Sequence, residues 1–92
     1  MTVSKITQDA EQTVKDRDAE YGKPSKNLAR TAGIWSAILA DKLKEPLTDR
    51  DVARCMMGLK LSRLCTAYKR DSVVDFAGYA TILERLEAGG EN

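Results

Sequence analysis

Apolar residues recur at three- and four-residue spacing in four stretches of this chain, and its two prolines, Pro24 and Pro46, fall between them. This spacing is typical of amphipathic helices, and no stretch shows the alternation that predicts a strand. Helices are predicted at about 4–20, 26–43, 49–68 and 73–88. Because the connections are short, we expect an all-α fold, a compact antiparallel bundle of four helices, with helix-turn-helix arrangements as the alternative.

The length of 92 residues predicts one helical domain over 1–92, with frayed ends at about 1–4 and 89–92. A chain of this size buries only about 60–65% of the surface that it exposes when unfolded, so its core is thin. Small helical proteins often gain further stability by association. We therefore expect a homo-oligomer, with a dimer as the simplest form.

Histidine is absent from the sequence, which excludes histidine-based acid–base catalysis and histidine-containing zinc sites. Cys55 and Cys65 lie on different sides of one predicted helix and cannot form a disulfide within it. We expect two buried thiols in a reducing cytoplasm, and neither zinc nor haem as a cofactor. No apolar run approaches the ~20 residues that span a bilayer, and no secretion signal is visible, so we expect a cytoplasmic protein without a membrane partner.

The third predicted helix is apolar on most sides, so we expect it to be the central helix of the bundle. Thr48 followed by Asp51 predicts a capping box at its start. Ser72 followed by Asp75 predicts a cap of the same kind at the start of the fourth helix. Gly33, inside the second helix, costs about 1 kcal/mol relative to alanine and is expected at a close contact between helices.

Charge is distributed unevenly between the last two helices, although the net charge of the whole chain is only +1. Residues 50–70 contain six basic residues and one acidic residue, whereas residues 71–92 contain five acidic residues and one basic residue. A basic helix followed by an acidic one predicts a self-complementary hairpin. A net charge near zero argues against general coating of nucleic acid, so a nucleic-acid partner is not expected.

Five side chains are expected to converge between these two helices in a half-buried polar cluster: Lys60, Arg63, Asp71, Asp75 and Tyr79. A hairpin that turns near residues 69–70 brings Arg63 opposite Asp75, and Lys60 opposite Gly78 or Tyr79. Buried charges are costly unless they are paired, so such a polar cluster needs an explanation. The two explanations are an internal salt-bridge network and a ligand site for an anionic group or a metal–phosphate complex.

A second polar segment, residues 20–27, joins the first two helices. A helix stop followed by a helix cap explains Gly22, Pro24 and Ser25. It does not require Glu20, Tyr21 or Asn27, which are therefore candidate ligand-binding residues. Backbone amides at the start of the second helix would suit a phosphate, although the segment is neither a Walker loop nor a dinucleotide fingerprint.

Several motifs in this order resemble a family of small all-helical phage and prophage proteins of unknown function. The motifs are Glu20-Tyr21-Gly22-x-Pro24-x-x-Asn27, Ala32 with Trp35-Ser36-Ala37, Asp51-Val52-Ala53, Met56-Met57, Leu59-Lys60-Leu61-Ser62-Arg63-Leu64 and Arg70-Asp71-Ser72-x-x-Asp75-x-Ala77-Gly78-Tyr79-Ala80. That family is similar in layout to nucleotide-modification-associated domains, and more remotely to the MazG-like all-α nucleotide pyrophosphohydrolases. If the protein is phage-encoded, its expected location is the cytoplasm of the host cell.

The resemblance to the pyrophosphohydrolases implies Mg²⁺ held by acidic residues at ExxE and ExxD spacing, because Mg²⁺ prefers oxygen ligands. This sequence departs from that pattern, since its one literal ExxE is Glu84 to Glu87 at the C-terminal end. Asp71 and Asp75 have DxxxD spacing instead and are the candidate metal ligands. If the protein is an enzyme, the resemblance implies a Mg²⁺-dependent nucleotide pyrophosphohydrolase.

The leading hypothesis is a phage-type protein that binds a nucleotide or another phosphate-bearing small molecule at the polar cluster, with Mg²⁺ as a possible cofactor. The alternative is a non-enzymatic interaction or sequestering module that acts on a host factor or signalling molecule through an exposed apolar patch. A less favoured alternative is a DNA-binding protein in which Arg50, Arg54 and Lys60 on the third helix contact DNA.

Overall fold

The structure, a computed structural model, describes the backbone of residues 5–21 and 24–89 and the side chains of residues 5–16 and 26–89. Within these residues it contains helices and connecting segments but no strand. The four α-helices are α1 (Lys5–Tyr21), α2 (Pro24–Ile38), α3 (Asp49–Thr66) and α4 (Arg70–Glu87). A short 3-10 helix, Ala40–Lys42, follows α2. The all-α prediction is confirmed.

All four helices contribute to one core. Each helix presents small or branched apolar residues at helical spacing, and these side chains become buried where the helices meet. The buried members of this core are Val14, Leu28, Ala32, Val52, Ala53, Ile82 and Leu86. Trp35, Met56 and Tyr79 pack against it with part of their surface exposed. The core therefore lies where α1, α2 and α3 meet the C-terminal half of α4.

The contacts between helices place α4, and not α3 as the sequence predicts, at the centre of the described fold. The most extensive contacts of the fold join α4 to α3, and the next most extensive join α4 to α1. The side of α4 that meets α1 carries Gly78, where an added Cβ would lie 3.6 Å from Val14 Cγ2 and 3.8 Å from the carbonyl oxygen of Ala10. The space between α1 and α4 at Gly78 thus admits a methyl group but no larger side chain without displacement of α1.

Two of the predicted helix ends differ from the observed ones by three residues or more. The second helix ends at Ile38 instead of residue 43, and the backbone N–H of Leu47 donates to Ser36 Oγ at 2.8 Å as the chain turns back. The fourth helix begins at Arg70, with Lys69 as an N-cap that provides no side-chain hydrogen bond. Ser72 is therefore a buried residue of the first turn instead of a cap.

The predicted capping box at the start of α3 is confirmed. Thr48 Oγ1 accepts a hydrogen bond from the backbone N–H of Asp51 at 3.2 Å. In return, Asp51 Oδ2 accepts from the backbone N–H of Thr48 at 2.9 Å. The two residues thus satisfy two donors that the helix geometry would otherwise leave open.

Two expectations about buried positions are wrong. Cys55 and Cys65 are exposed free thiols, because they lie on the side of α3 opposite the inward-facing Ala53 and Lys60. Gly33 is exposed as well, and nothing in the described structure lies within 4 Å of a Cβ added there. Its place in α2 is therefore not explained by packing within the described part of the chain.

Large apolar side chains remain exposed on two helices and on the connection that follows α3. They are Ile34 and Ile38 on α2, Leu39 directly after it, Leu59 and Leu61 on α3, and Tyr68 before α4. None of the described helices is both long enough and apolar enough to cross a membrane.

Candidate functional site

Within the polar cluster, the closest contact is an ion pair between α3 and α4. Lys60 Nζ lies 3.1 Å from Asp75 Oδ2. Lys60 is on the inward face of α3, so its side chain is only 11% exposed, and the Asp75 side chain is 22% exposed. The expected register paired Arg63 with Asp75, and the observed pairing of Lys60 with Asp75 corrects it.

The other two charged members of the cluster lie at its outer edge. Arg63 follows Lys60 by about one helical turn, and Asp71 precedes Asp75 by about one turn. Because α3 ends and α4 begins at the same end of the hairpin, both side chains lie nearer to that end than the ion pair. Both are exposed, and neither forms an ion pair with any side chain that the structure describes. Arg63 and Asp71 are thus accessible to solvent.

Tyr79, the fifth member, lies one turn beyond Asp75 on α4 and packs, half-buried, against the apolar core. It therefore marks the inner limit of the cluster, where the polar side chains give way to apolar ones. The five residues thus extend from the exposed Arg63 and Asp71 at the outer edge, through the ion pair, to the residue that packs against the core.

The start of α4 adds an anion-binding feature to the outer edge. The N-cap residue, Lys69, makes no side-chain cap, and its carbonyl oxygen accepts the N–H groups of Ser72 and Val73. The N–H groups of Arg70 and Asp71 are therefore the ones that remain at the start of the helix. The positive end of a helix dipole also lies at this point. Lys69 is exposed and, within the described side chains, unpaired, whereas Arg70 forms a salt bridge with Asp9 of α1.

The candidate residues of the second polar segment are only partly within the described structure. Glu20 and Tyr21 belong to the last turn of α1, and their side chains lie outside the described residues. Asn27 is half-buried in the first turns of α2, where its carbonyl oxygen accepts a hydrogen bond from Thr31 Oγ1 at 2.9 Å. Their proposed role in ligand binding therefore stays a prediction.

The candidate metal ligands, Asp71 and Asp75, differ in how they are engaged within the described structure. No group of three or more Cys, Asp or Glu residues in the described part of the chain is arranged to hold a metal ion. Of the two candidate ligands, Asp75 is engaged by Lys60, which leaves Asp71 as the open carboxylate. Mg²⁺ commonly binds through one or two carboxylates together with substrate phosphates, so a metal at this position would need oxygen ligands from the bound molecule.

Three basic residues named in the DNA-binding alternative are engaged by other groups of the protein. Arg54 contacts Asp51 on its own helix at 3.3 Å and Glu87 on α4 at 3.2 Å. Arg50 Nη2 donates to the carbonyl oxygen of Leu86 at 3.2 Å, while its buried Nε lies 3.2 Å from Glu87 without making a hydrogen bond. With Lys60 paired as well, this placement gives little support to DNA contact through α3.

The Arg50–Glu87 and Arg54–Glu87 contacts had not been singled out from the sequence. The sequence does contain a signal for them, because an antiparallel hairpin brings the basic residues at the start of α3 opposite the acidic residues at the end of α4. These contacts close the end of the hairpin far from the polar cluster. They therefore make the two ends of the α3–α4 hairpin different, one closed by ion pairs and the other carrying open charges.

A cavity of about 250 Å³ lies between the end of α2 and the segment that leads to α3. The residues that line it are Ser36, Ala40, Leu43, Lys44, Glu45 and Pro46. Ser36 already accepts the backbone N–H of Leu47. No residue of the polar cluster lines this cavity, and sequence patterns did not indicate it.

Hydrogen bonds lower the pKa of two carboxyl groups, both outside the polar cluster. The Arg70 guanidinium holds the pKa of Asp9 below its ordinary value, and Lys5 adds to the effect. The backbone N–H of Thr48 lowers the pKa of Asp51 in the capping box, with a smaller effect from Arg54. Both shifts favour the charged carboxylate and thus belong to contacts that hold helices in place.

Comparison with known proteins relates the chain to phage proteins. It is 39% identical over 72 residues to the Gene 55 protein of Mycobacterium phage L5, and 38% identical over 72 residues to the Gene 55 protein of Mycobacterium phage D29. Each match covers 77% of this chain, whereas the chain spans only 44% and 45% of the length of these two relatives. No solved structure matches the chain at a significant level.

A family match covers almost all of the described structure. Residues 5–87, from the start of α1 to the end of α4, match a domain described as "Domain of unknown function (DUF6378)". The predicted relationship to a small phage family of unknown function is confirmed by these matches. The chain therefore belongs to the DUF6378 family.

Proposed function

We propose that this protein binds a phosphate-bearing small molecule, with a nucleotide as the preferred class, at the outer edge of the polar cluster. The observation that carries the proposal is the open guanidinium of Arg63, which lies one helical turn from the nearly buried Lys60–Asp75 ion pair. An exposed arginine beside a fixed charge pair can bind a phosphate through two parallel hydrogen bonds.

Two further features support binding of an anion at this position. The first turn of α4 has no side-chain cap from Lys69, so the N–H groups of Arg70 and Asp71 can donate to a phosphate oxygen. The Lys69 ammonium is exposed at the same end of the hairpin. Together, Arg63, Lys69 and the helix start provide positive potential on one side, while Asp71 provides the polar contact that a ribose hydroxyl or a phosphate-bound Mg²⁺ requires.

Binding without turnover is the form of the function that we favour. Hydrolysis assisted by Mg²⁺ needs several carboxylates around the metal, and the polar cluster contributes only Asp71 as an open one. The similarity to nucleotide-modification-associated domains and to MazG-like enzymes stays a prediction. If Mg²⁺ takes part, it is expected to arrive with the nucleotide and to contact Asp71.

Thermal unfolding tests the proposal directly, because a ligand that binds only the folded state raises its midpoint. The protein is unfolded with a panel of nucleoside mono-, di- and triphosphates and cyclic nucleotides, each with and without Mg²⁺. One class is expected to raise Tm by several degrees at a concentration about 100-fold above its Kd. A flat response to the whole panel would contradict the proposal.

A matched pair of variants then locates the site. Arg63→Ala and Lys15→Ala each remove one exposed positive charge that is unpaired among the described side chains, but Lys15 is on α1, outside the cluster. Arg63→Ala is expected to abolish the shift that the nucleotide produces, and Lys15→Ala is expected to preserve it. In Asp71→Asn, loss of a Mg²⁺-dependent part of the shift would identify the metal contact.

A second candidate function is docking of another protein on the outward side of α3. The observation that favours it is the exposure of Leu61 and Tyr68, at 55% and 73% of their surface. Apolar side chains at such positions often belong to interaction surfaces. Co-purification from host extract tests this alternative, and Leu61→Asp is expected to abolish recovery of a partner that the unchanged protein retains.

A further inference from the structure

The outward face of α2 combines large apolar side chains with small residues, and nothing in the described structure covers this face. Ile34 is 54% exposed and Ile38 is 73% exposed. Between and beside them lie Gly33 and Ala37, both exposed, and Gly33 has free space where a Cβ would be. We call these four residues, together with Arg30 and Asp41, the α2 face.

The two ends of the α2 face carry opposite charges. Arg30 lies about one turn before Ile34, and Asp41 lies in the short 3-10 helix, which Leu39 separates from the end of α2. Both side chains are exposed, and neither forms an ion pair within the described part of the protein. Along the face, a cation therefore lies at one end and an anion at the other, and small residues alternate with large apolar ones between them.

We propose that the α2 face binds a second copy of this chain in an antiparallel, two-fold symmetric pairing. In a two-fold interface, if one residue contacts a second, the second also contacts the first across the axis. A pairing centred between Trp35 and Ser36 brings residues whose numbers add up to 71 opposite each other. Ile38 then lies over the partner's Gly33.

The remaining contacts of this register are complementary as well. Ile34 lies over the partner's Ala37, so each large side chain meets a small residue and the two helices can approach closely. Arg30 lies opposite the partner's Asp41, and symmetry repeats this ion pair at the other end. Each of the six residues of the α2 face thus matches its counterpart in size or in charge, which is what selects a second copy as the occupant.

The size of the surface predicts a reversible dimer. A helix of 15 residues is about 22 Å long, so one pair of such helices buries less than the ~1,600 Å² of a typical stable interface. The net charge of +1 adds little repulsion between copies. We therefore expect a monomer–dimer equilibrium with Kd in the micromolar range. This inference does not depend on nucleotide binding, since the polar cluster is on α3 and α4.

Charge reversal gives the sharpest test, with sedimentation equilibrium of the full chain as the readout. Arg30→Asp faces the partner's Asp41 with a like charge, and Asp41→Arg does the same with Arg30. Each change is expected to weaken dimerisation about tenfold or more. The double variant restores opposite charges and is expected to return Kd to within about threefold of the original value. A double variant as weak as the single ones would overturn the antiparallel register.

An apolar test separates this surface from the other exposed patch. Ile38→Lys is expected to leave the protein monomeric, whereas Leu61→Lys, the same kind of change on α3, is expected to leave dimerisation unchanged. Both positions are exposed, so circular dichroism is expected to show folded protein in each case. The proposal is overturned if the unchanged chain stays monomeric at millimolar concentration, or if Leu61→Lys dissociates the dimer while Ile38→Lys does not.

Discussion

Lys60 Nζ lies 3.1 Å from Asp75 Oδ2, so a nearly buried charge pair joins α3 to α4 within a mostly apolar interface. Removing two charges from water costs several kcal/mol each, and their mutual attraction offsets this cost only when both partners are present. The pair therefore specifies how α3 is rotated against α4 more than it adds to stability. It also holds one cation and one carboxylate in fixed positions beside the open side chain of Arg63.

The first prediction concerns removal of one member of this pair. Asp75→Asn leaves the ammonium of Lys60 without a counter-charge in a site where it is only 11% exposed. The free energy of unfolding is expected to fall by about 2 kcal/mol or more, because the remaining charge stays desolvated. Urea denaturation measures this loss, and the m-value is expected to stay unchanged.

A double substitution is the control for that prediction. Lys60→Met with Asp75→Leu removes both charges and keeps similar side-chain volumes, so stability is expected to return to that of the unchanged protein or to exceed it. The interpretation would be contradicted if Asp75→Asn were neutral, since Lys60 would then be better hydrated than its burial indicates.

Helical spacing predicted the number of helices and their order, but not the register between α3 and α4. The hairpin had been centred at residues 69–70, whereas α3 ends at Thr66 and α4 begins at Arg70, so the true centre lies near Tyr68. This shift brings Lys60 close to Asp75 and moves Arg63 away from it. Helix ends depend on capping and on tertiary contacts, which spacing alone does not reveal.

The rotation of α3 was the other feature that the pattern left undetermined. Apolar residues cover most sides of this helix, so its sequence does not show which side faces inward. The structure turns Lys60 inward because Asp75 on α4 supplies the opposite charge, and this leaves Cys55, Leu61 and Cys65 exposed. A partner on another helix decides the orientation, and a single-helix pattern does not contain that information.

The second prediction concerns the close approach of α1 to α4 at Gly78. An alanine Cβ there would lie 3.6 Å from Val14 Cγ2, which is an ordinary van der Waals contact. Gly78→Ala is therefore expected to stabilise the protein by up to about 1 kcal/mol through helix propensity. Gly78→Leu is expected to destabilise it by about 1–3 kcal/mol, because the larger side chain must displace α1. Thermal unfolding of both variants measures the difference, and equal effects would show that α1 yields freely.

The third prediction concerns the salt bridge between Arg70 and Asp9, which connects α4 to α1. Arg70 is the main cause of the lowered pKa of Asp9. Arg70→Gln is expected to raise that pKa towards the ordinary aspartate value, about 3.9. Titration of the Asp9 carboxyl followed by NMR measures it, with Arg85→Gln on the same helix as the control. An unchanged pKa in Arg70→Gln would mean that the salt bridge does not persist in solution.

The fourth prediction concerns the capping box at the start of α3. Thr48→Ala removes the acceptor for the backbone N–H of Asp51 and is expected to cost about 1 kcal/mol of stability at neutral pH. Asp51 adds a pH dependence, because its hydrogen bond from Thr48 N–H keeps its pKa lower in the folded protein than in the unfolded chain.

The direction in which Asp51 changes the stability with pH follows from proton binding in the folded and unfolded states. The unfolded chain takes up a proton at Asp51 near pH 3.9, before the folded protein does, so the stabilising effect of this carboxylate is complete above that pH. The effect is lost as the pH falls through the lower pKa of the folded state. Asp51→Asn is therefore expected to make the acid decline in stability shallower below about pH 4, as measured by urea unfolding at a series of pH values. If the acid decline in stability is equally steep in Asp51→Asn, other carboxylates cause most of that decline. Asp9→Asn is the matched comparison, because the pKa of Asp9 is also lowered in the folded protein.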